Sequence, residues 1–573
     1  MIELFRHIGL VVIVGLFSSL PSSADVRVNK LLAGDEDYGL AVPFASFTAP
    51  NGTAAPDDVI YGSLSLDMSA FSGGFQALYD RDSVAAVPGN RIRDLPKFDF
   101  EFVSVDQALV PVEKGIVETQ HPYFDWIVSP GSVWQLADGS IRMSIPFALM
   151  EKGANCVHNG VLLVDVGATD TASRALVQIG SETCAYFKFN FWAAYDASWQ
   201  DQDLADPYVI VNAYNAELAA MLSREPISKL NQKYSDFNAA ALAQQDEIAP
   251  INMTVYGLVL DGTHYTADCM TRMGLYPHCD TMALPSYSLA KSLAGGLGLM
   301  RLEKLYPGAI DAYVADLVGA CSGNNWKGVQ LKHLLNMTTG NYQSSKPHVD
   351  EGAAHYVPFF TSNTSADKTD FSCNHFKRKS SPGKKWVYHT SDTYLLGAAM
   401  NAFLTKNTGG PADYYNDLLV PLWNELELSP LTHSMRRTTG PRRQPLTGYG
   451  MVFYRDDIAR AASSLTRQVG AFKTNFSEAQ LAAALQLDEE NRGMAAGAKT
   501  LRYKNGFWGW NAKNTLRCKD DIWIPFLSGY GGISVVLLPR GDVFYYFSDG
   551  GVHTFSSAIK EISKITQICE AVS

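Results

Sequence analysis

The hydrophobic pattern changes near residue 205, and this change constrains the fold more than any other feature of the sequence. Between residues 25 and 205, short runs of β-branched and aromatic residues alternate with Gly, Pro, Asn and Asp, as at 98–105 and 140–150. Long helical periodicity is absent there. From 206 onward, helical segments alternate with strands. We therefore predict a multidomain chain, with an N-terminal all-β, sandwich-like accessory domain over 25–205 and an α+β domain over 206–573.

Turn, strand and helix signals predict individual elements within both regions. In the first region, 137–140 and 158–160 resemble hairpin turns, and 161–166 resembles a core strand. In the second region, helices are predicted at 213–222, 237–248 and 311–318, and a strand pair at 253–260 and 264–266. Four tryptophans of the first region could line a ligand groove, but core packing is the favoured interpretation; they are Trp126, Trp134, Trp192 and Trp199.

Size and charge limit the function classes. A chain of 573 residues exceeds one typical domain. The formal net charge of -11 argues against nucleic acid or an anionic membrane surface as the partner. A small molecule or peptide substrate is the expected partner, and the oligomeric state is not indicated by any pattern.

The first 24 residues resemble a secretory signal peptide. An apolar run at 8–17 precedes Ser22-Ser23-Ala24, which offers small residues for cleavage after Ala24. The run is too short to span a bilayer. We therefore expect a soluble mature chain that is secreted or periplasmic.

Eight cysteines in an exported chain predict disulfides. The sequence does not fix the connectivity, since eight cysteines allow 105 pairings. Proximity in sequence favours Cys156–Cys184 and Cys269–Cys279, and Cys321–Cys373 and Cys518–Cys569 are then candidate pairs among the four cysteines left over. Zinc is the alternative use of cysteine, but no close Cys-x-x-Cys pair occurs and the histidines are scattered. Neither a metal nor a cofactor is therefore expected.

The segment with the clearest chemical potential is Ser288-Leu289-Ala290-Lys291, which precedes an apolar, small-residue run. We predict a helix whose first turn carries Ser288, so that the serine and Lys291 project from one face. A lysine of lowered pKa can remove the serine proton. The same Ser-x-x-Lys spacing begins at Ser365, Ser381 and Ser557, where the surroundings do not favour a site.

Three further motifs follow in order along the chain. They are HLLNMTTG at 333–340, WVYHTSDTYLLG at 386–397 and the glycine-rich SGYGGI at 528–533. Together with Ser288-x-x-Lys291, they resemble the serine β-lactamase/penicillin-recognising superfamily. The resemblance is to its class C-like esterases and 6-aminohexanoate-dimer-hydrolase-like amidases. It covers residues from about 251 to the C-terminus and implies an antiparallel sheet flanked by helices, with a helical subdomain.

The resemblance also implies roles for individual residues. Ser288 corresponds to the acylated nucleophile, Lys291 to its base and Tyr388 to the proton-transfer tyrosine. The backbone N–H groups of Ser288 and Ile533 correspond to the oxyanion hole. The substrate-binding positions implied in this way are Thr390, Tyr530, Gly531 and Gly532.

Two of these positions depart from the lactamase pattern. Thr390 stands where the superfamily usually has Asn or Ser, and Tyr530 stands where a cation usually helps to hold a substrate carboxylate. We therefore expect a secreted serine hydrolase for an ester or amide. The alternatives are β-lactamase or D-Ala-D-Ala carboxypeptidase activity, or a non-catalytic binding or sensor protein. A Ser/His/Asp triad through His389 and Asp392 is disfavoured, because no Gly-x-Ser-x-Gly elbow occurs.

Overall fold

A computed structural model describes residues 23–36, 40–67, 75–83, 95–167, 171–180, 184–202, 206–467 and 471–570. Most of the predicted signal segment, residues 1–22, lies outside these ranges, as does the predicted domain boundary at 205. Within them, no helix combines the length and the apolar character that crossing a membrane requires.

The N-terminal region is built on one antiparallel sheet, preceded by the helix α1 (Ser23–Ala33). Its strands are β1 (Tyr61–Leu66), β2 (Phe75–Asp80), β3 (Phe98–Val105), β4 (Ala108–Pro111), β5 (Phe124–Val128), β6 (Gly131–Gln135), β7 (Ile141–Glu151), β8 (Val157–Val166), β9 (Arg174–Ile179) and β10 (Phe189–Asp201). The main order is β1-β3-β4-β6-β7-β8-β9-β10-β2, with β5 on β7.

This sheet closes on itself, because β1 pairs with β3 on one side and with β10 on the other. The predominance of β-strands is as expected, but the helix α1 was not predicted, and the expected pair of stacked sheets is replaced by one curved sheet. The physical reason is the length of β10, whose 13 residues pair with β2, β1 and β9 in turn. Alternate residues such as Phe100, Phe102 and Ile145 fill one buried cluster on the same side.

The C-terminal region contains the second large sheet and two small ones. Its strands are β11 (Arg224–Pro226), β12 (Met253–Leu260), β13 (Thr263–Thr266), β14 (Met270–Thr271), β15 (Gly274–Leu275), β16 (Leu284–Pro285), β17 (Val452–Phe453), β18 (Met494–Ala495), β19 (Leu501–Lys504), β20 (Phe507–Asn511), β21 (Trp523–Gly529), β22 (Ile533–Leu537) and β23 (Val543–Ser548). Nine strands form one sheet in the order β11-β13-β12-β23-β22-β21-β20-β19-β18. It is antiparallel except for the β11–β13 pair.

The described part of the second region also contains helices, of which the one at Arg455–Arg467 packs against β12, β22 and β23. They are α2 (Pro207–Ala220), α3 (Lys229–Lys233), α4 (Leu297–Leu305), α5 (Val314–Leu317), α6 (Leu331–Leu335), α7 (Val357–Thr361), α8 (Ser365–Asn374), α9 (Thr390–Thr408), α10 (Val420–Glu425), α11 (Arg455–Arg467), α12 (Ala471–Thr474), α13 (Glu478–Ala484), α14 (Lys513–Leu516) and α15 (Ser556–Ile562). Two π-helical segments, Lys291–Gly296 and Tyr415–Leu419, lead into α4 and α10.

The two regions share a buried interface. Outward-facing residues of the first sheet, such as Val161 and Leu176, belong to the same hydrophobic cluster as Leu284 and Leu289 of the second region. All four tryptophans of the first region are buried, which agrees with core packing. Both faces of the closed sheet are thus covered by apolar packing over this interface.

Several local predictions are confirmed and others are wrong. The strands predicted at 98–105 and 253–260 have the bounds of β3 and β12. The turn predicted at 158–160 lies inside β8, because this part of the strand is buried and His158 and Asn159 have partners there. The helix predicted at 237–248 is only a 3₁₀ turn at Ala239–Ala243, and that at 311–318 contains only α5.

All four predicted cysteine pairs are disulfides in the structure. They are Cys156–Cys184, Cys269–Cys279, Cys321–Cys373 and Cys518–Cys569. The first joins the β7–β8 hairpin to the chain ahead of β10, and the last joins the segment after α14 to the segment after α15. Such bonds are typical of oxidising compartments.

Candidate active site

Ser288 lies in a tight turn between the short strand β16 and the helical segment that contains Lys291. β16 pairs with β17, which fixes the entry to the turn. Tyr287 has a φ of 40°, a left-handed conformation that is uncommon for a bulky residue and costs conformational energy. The Lys291 N–H donates to Ser288 O at 3.0 Å and closes the turn. Ser288 is therefore held at the start of the helix and remains partly exposed.

The helical segment after Ser288 packs closely against the β19–β20 turn. A Cβ atom on Gly296 would lie 2.6 Å from Asn505 O, so a larger residue would push the segment away. The π-helical turn at Lys291–Gly296 also lies here, and such turns are frequent at functional sites. The small residues after Lys291 thus allow the buried position of that lysine.

Lys291 makes three hydrogen bonds with its Nζ atom. It donates to Ser288 Oγ at 2.9 Å, to Thr390 Oγ1 at 2.8 Å and to Gly448 O at 3.0 Å. The residue is 2% exposed. Burial lowers the pKa of Lys291 to about 8, and the negative charge of Glu351 opposes part of this change. A lysine of this kind is present in both protonation states near neutral pH.

Glu351 is a member of the site that the sequence did not indicate. Its carboxylate accepts a hydrogen bond from Thr390 N at 2.8 Å and another from the Thr390 hydroxyl. The threonine hydroxyl therefore accepts from Lys291 and donates to Glu351, which explains why a hydroxyl can stand at this position. No motif contains Glu351, and it lies in a loop 39 residues before Thr390, so only the fold brings it to the lysine.

Tyr388 lies beside both the lysine and the serine. Lys291 Nζ is 5.0 Å from the centre of the Tyr388 ring. Burial raises the pKa of Tyr388 well above its usual value, and an interaction with the Ser288 hydroxyl offsets this only in part. Trp508 stacks on the same ring with centroids 6.1 Å apart. The phenol therefore stays protonated over the pH range in which the lysine titrates.

His389 does not form a triad with Ser288. Its Nε2 atom pairs with Asp350 Oδ2 at 3.1 Å, and its ring stacks on Phe376 at 4.3 Å. His389 is buried, so it is not a surface residue. Asp392 is buried as well, and burial raises its pKa to about 7. These residues stabilise the start of α9 rather than contact the nucleophile.

The Tyr530-Gly531-Gly532 segment forms a hairpin turn instead of a strand. It joins β21 to β22, and Gly532 has a φ of 95°. A Cβ on Gly532 would lie 2.5 Å from Val552 O, so the glycine is required by packing. Ile533 lies in β22, fully buried between β21 and β23. The structure therefore brings Ser288, Lys291, Tyr388 and Thr390 together but places Ile533 within the sheet.

The end of β21 approaches the turn that carries Ser288. A Cβ on Gly529 would lie 2.9 Å from Ser286 O, and the Tyr530 ring packs on Tyr287 with centroids 5.6 Å apart. Within the described ranges, the backbone N–H groups of Ser288 and Tyr530 donate to no backbone acceptor. Both donors are thus unused at the edge of the site.

Only one group of potential metal ligands occurs in the part of the chain that the structure describes. It consists of Glu151, Cys156, His158 and Cys184. The two cysteines are bonded to each other, so neither offers a thiolate. This group does not have the donor set of a zinc site.

Comparisons with known proteins give matches to solved structures only. No family model and no curated protein matches the sequence. One matched structure is named as a 6-aminohexanoate-dimer hydrolase from Bacillus anthracis, with 14% identity, a TM-score of 0.42 and coverage of 56% of this chain and 80% of that one. A penicillin-binding protein homologue from Caulobacter crescentus has 14% identity, a TM-score of 0.40 and coverage of 57% and 95%. A class C β-lactamase has 13% identity, a TM-score of 0.39 and coverage of 64% and 99%.

These similarities are to individual solved structures, each at 13–14% identity and with a TM-score below 0.5. The three matched structures bear the names that the order of the sequence motifs led us to expect. At these identities and TM-scores, the matches transfer neither a fold nor an activity to this chain. The activity of the chain is therefore inferred from the geometry around Ser288.

Proposed function

We propose that this chain is a serine hydrolase that cleaves an ester or amide bond through an acyl-enzyme on Ser288. The observation that supports it most is the 2.9 Å hydrogen bond between Lys291 Nζ and Ser288 Oγ, made by a buried lysine whose pKa is lowered to about 8. About half of such a lysine is neutral at pH 8, and the neutral amine can accept the serine proton.

In the first step, Ser288 Oγ bonds to the substrate carbonyl carbon while its proton passes to Lys291. The carbonyl oxygen becomes an oxyanion. The unused N–H groups of Ser288 and Tyr530 are the proposed donors to it, with Tyr530 in place of the buried Ile533. When the tetrahedral intermediate collapses, the leaving group departs with a proton from Tyr388, which regains one from Lys291. Water then attacks the acyl carbon and gives one proton to Lys291. The bond from that carbon to Ser288 Oγ breaks, the acid is released, and Lys291 returns the proton to Ser288 Oγ.

The polar groups of the site favour a substrate without a carboxylate near the scissile bond. The Tyr530–Gly532 turn carries no charged side chain, and the Glu351 carboxylate lies close to Lys291. We therefore propose a neutral ester or linear amide as the substrate class, ahead of β-lactams and D-Ala-ending peptides. Four disulfides support export to an oxidising compartment.

A substrate screen tests the proposal. Purified full-length chain and Ser288→Ala are compared on p-nitrophenyl esters, linear amides, D-amino-acid peptides and nitrocefin. We expect ester or amide turnover that falls at least about a thousandfold in Ser288→Ala. Turnover that persists in the variant would exclude Ser288 as the nucleophile. A chain that turns over none of these substrates and also resists a fluorophosphonate probe would instead be a non-catalytic binding or sensor protein.

A further inference from the structure

One side chain of the N-terminal region, that of Asn155, forms hydrogen bonds with the turn that precedes Ser288. Asn155 lies in the hairpin between β7 and β8 and is 1% exposed. Its Oδ1 atom accepts a hydrogen bond from Tyr287 N at 2.5 Å, and its Nδ2 atom donates to Met451 O at 3.2 Å. These partners fix the orientation of the amide, because the flipped amide would place Nδ2 against a donor and Oδ1 against a carbonyl.

Tyr287, whose N–H donates to Asn155, has an unfavourable backbone conformation. Tyr287 precedes Ser288 and has the left-handed φ of 40°. A buried N–H without a partner would add to the cost of this conformation. Ser286, on the other side of Tyr287, lies with its Oγ atom 3.2 Å from Asn155 Oδ1. One carboxamide therefore contacts both residues that come before the nucleophile.

A second contact brings the same region to the other side of the site. Ala185 Cβ lies 3.3 Å from the position of a Cβ on Gly531, and the Tyr186 ring lies 6.2 Å from that of Tyr530. The Cys156–Cys184 disulfide adjoins both contacts, since Cys156 follows Asn155 and Cys184 precedes Ala185. The first region thus contacts the turn before Ser288 and the hairpin after β21.

We propose that the N-terminal region is part of the active site and that Asn155 is a positioning residue, which holds Tyr287 left-handed and thereby places the Ser288 hydroxyl and N–H. The proposal rests on the proposed function for its kinetic consequence. The hydrogen bonds of the Asn155 side chain go to Ser286, Tyr287 and Met451, so Asn155 acts through the turn before Ser288. An accessory domain joined only by packing would have no such effect on turnover.

Asn159 provides a matched control. It is also 1% exposed, comes from the same sheet and makes two hydrogen bonds to the second region, to Ala283 N and Ala283 O at 3.0 Å each. It contacts the chain five residues before Ser288 and has no bond to the left-handed residue. Loss of the side chain removes three hydrogen bonds to the second region for Asn155 and two for Asn159, but only Asn155 supports Tyr287.

The test compares Asn155→Ala with Asn159→Ala in the full-length chain at one temperature below both melting points. We expect kcat to fall at least about tenfold in Asn155→Ala with KM within about twofold, and to stay within about threefold in Asn159→Ala. Amide hydrogen exchange in peptides covering 286–291 should accelerate in Asn155→Ala alone. This exchange is measured without substrate, so it tests the contact even if Ser288 has no hydrolytic role.

Two results would overturn the proposal. One is an Asn155→Ala chain with wild-type kcat and wild-type exchange at 286–291. The other is an equal loss in both variants, which indicates interface stability only. If Asn155→Ala does not fold, Asn155→Ser replaces it, because serine leaves a smaller cavity but cannot reach Tyr287 N. A folded Asn155→Ser variant with kcat within about threefold of wild type contradicts the proposal as well.

Discussion

Lys291 Nζ donates to Ser288 Oγ at 2.9 Å while a second of its hydrogen bonds goes to the Thr390 hydroxyl at 2.8 Å. That hydroxyl in turn donates to the Glu351 carboxylate. Serine, lysine, threonine and glutamate therefore form one continuous chain of hydrogen bonds. Such a chain couples the protonation of the lysine both to Ser288 and to the partly buried Glu351 carboxylate.

The pH dependence of turnover should follow the lysine. Because the proposed base is neutral Lys291, the active fraction increases as pH rises through its pKa of about 8. We expect kcat/KM to rise between pH 6 and 9 with a midpoint near 8 and then to level off. Steady-state kinetics on an ester with a pH-independent leaving group measure this. A rate that is flat or falls over the same range would contradict the assignment of Lys291 as base.

Glu351→Gln should move this midpoint to lower pH. The Glu351 charge favours the protonated lysine and raises its pKa, so its removal lowers the pKa of Lys291 below about 8. The pH–rate profile of the variant provides the measurement. Glu489→Gln is the control, because the Glu489 side chain is 76% exposed and its charge is screened by water. A midpoint that stays in place or rises in Glu351→Gln would show that the carboxylate does not act on the lysine.

Tyr388→Phe should lower kcat by about a hundredfold or more, since it removes the proposed proton donor and keeps the ring. Burial raises the pKa of Tyr388, so its phenol is protonated at every pH at which the wild-type chain is assayed. Tyr503→Phe is the matched control: it belongs to the same aromatic cluster, and its buried hydroxyl has no hydrogen-bond partner among the described residues. Equal kinetics for the two variants would remove Tyr388 from the proton-transfer pathway.

Loss of the Cys156–Cys184 disulfide should reduce turnover more than loss of Cys518–Cys569. Their sequence separations of 28 and 51 residues predict similar stabilisation, about 4 kcal/mol each on the chain-entropy account. Only the first adjoins both contacts of the N-terminal region with the site. Melting temperatures and kcat of the two double-serine variants separate the effects. Equal losses of kcat at equal stability would exclude a special role for the first disulfide.

The sequence predicted those parts of the fold and site that depend on local pattern. Hydrophobic alternation located β3 and β12, and proximity in sequence located the shorter disulfides. The Ser288-x-x-Lys291 spacing predicted the 2.9 Å contact, because a helical turn fixes it locally.

Features that depend on distant contacts could not be predicted in this way. Closure of the first sheet requires β1 and β10 to meet, although their paired residues Leu66 and Ala197 are 131 positions apart in the sequence. Glu351 and Asn155 carry no motif, and tertiary packing alone brings them to Thr390 and Tyr287. Ile533, the predicted oxyanion donor, begins the interior strand β22 because the glycine pair before it makes a turn, and we propose Tyr530 as the donor in its place.

The most direct test of the central claim is to identify the residue that a fluorophosphonate modifies. The full-length chain is treated with the probe, digested and analysed by peptide mass spectrometry, with Ser288→Ala treated in parallel. We predict a single modified serine, Ser288, and no labelling of the variant. Label on another residue, or label that persists in Ser288→Ala, would contradict the assignment of Ser288 as the nucleophile.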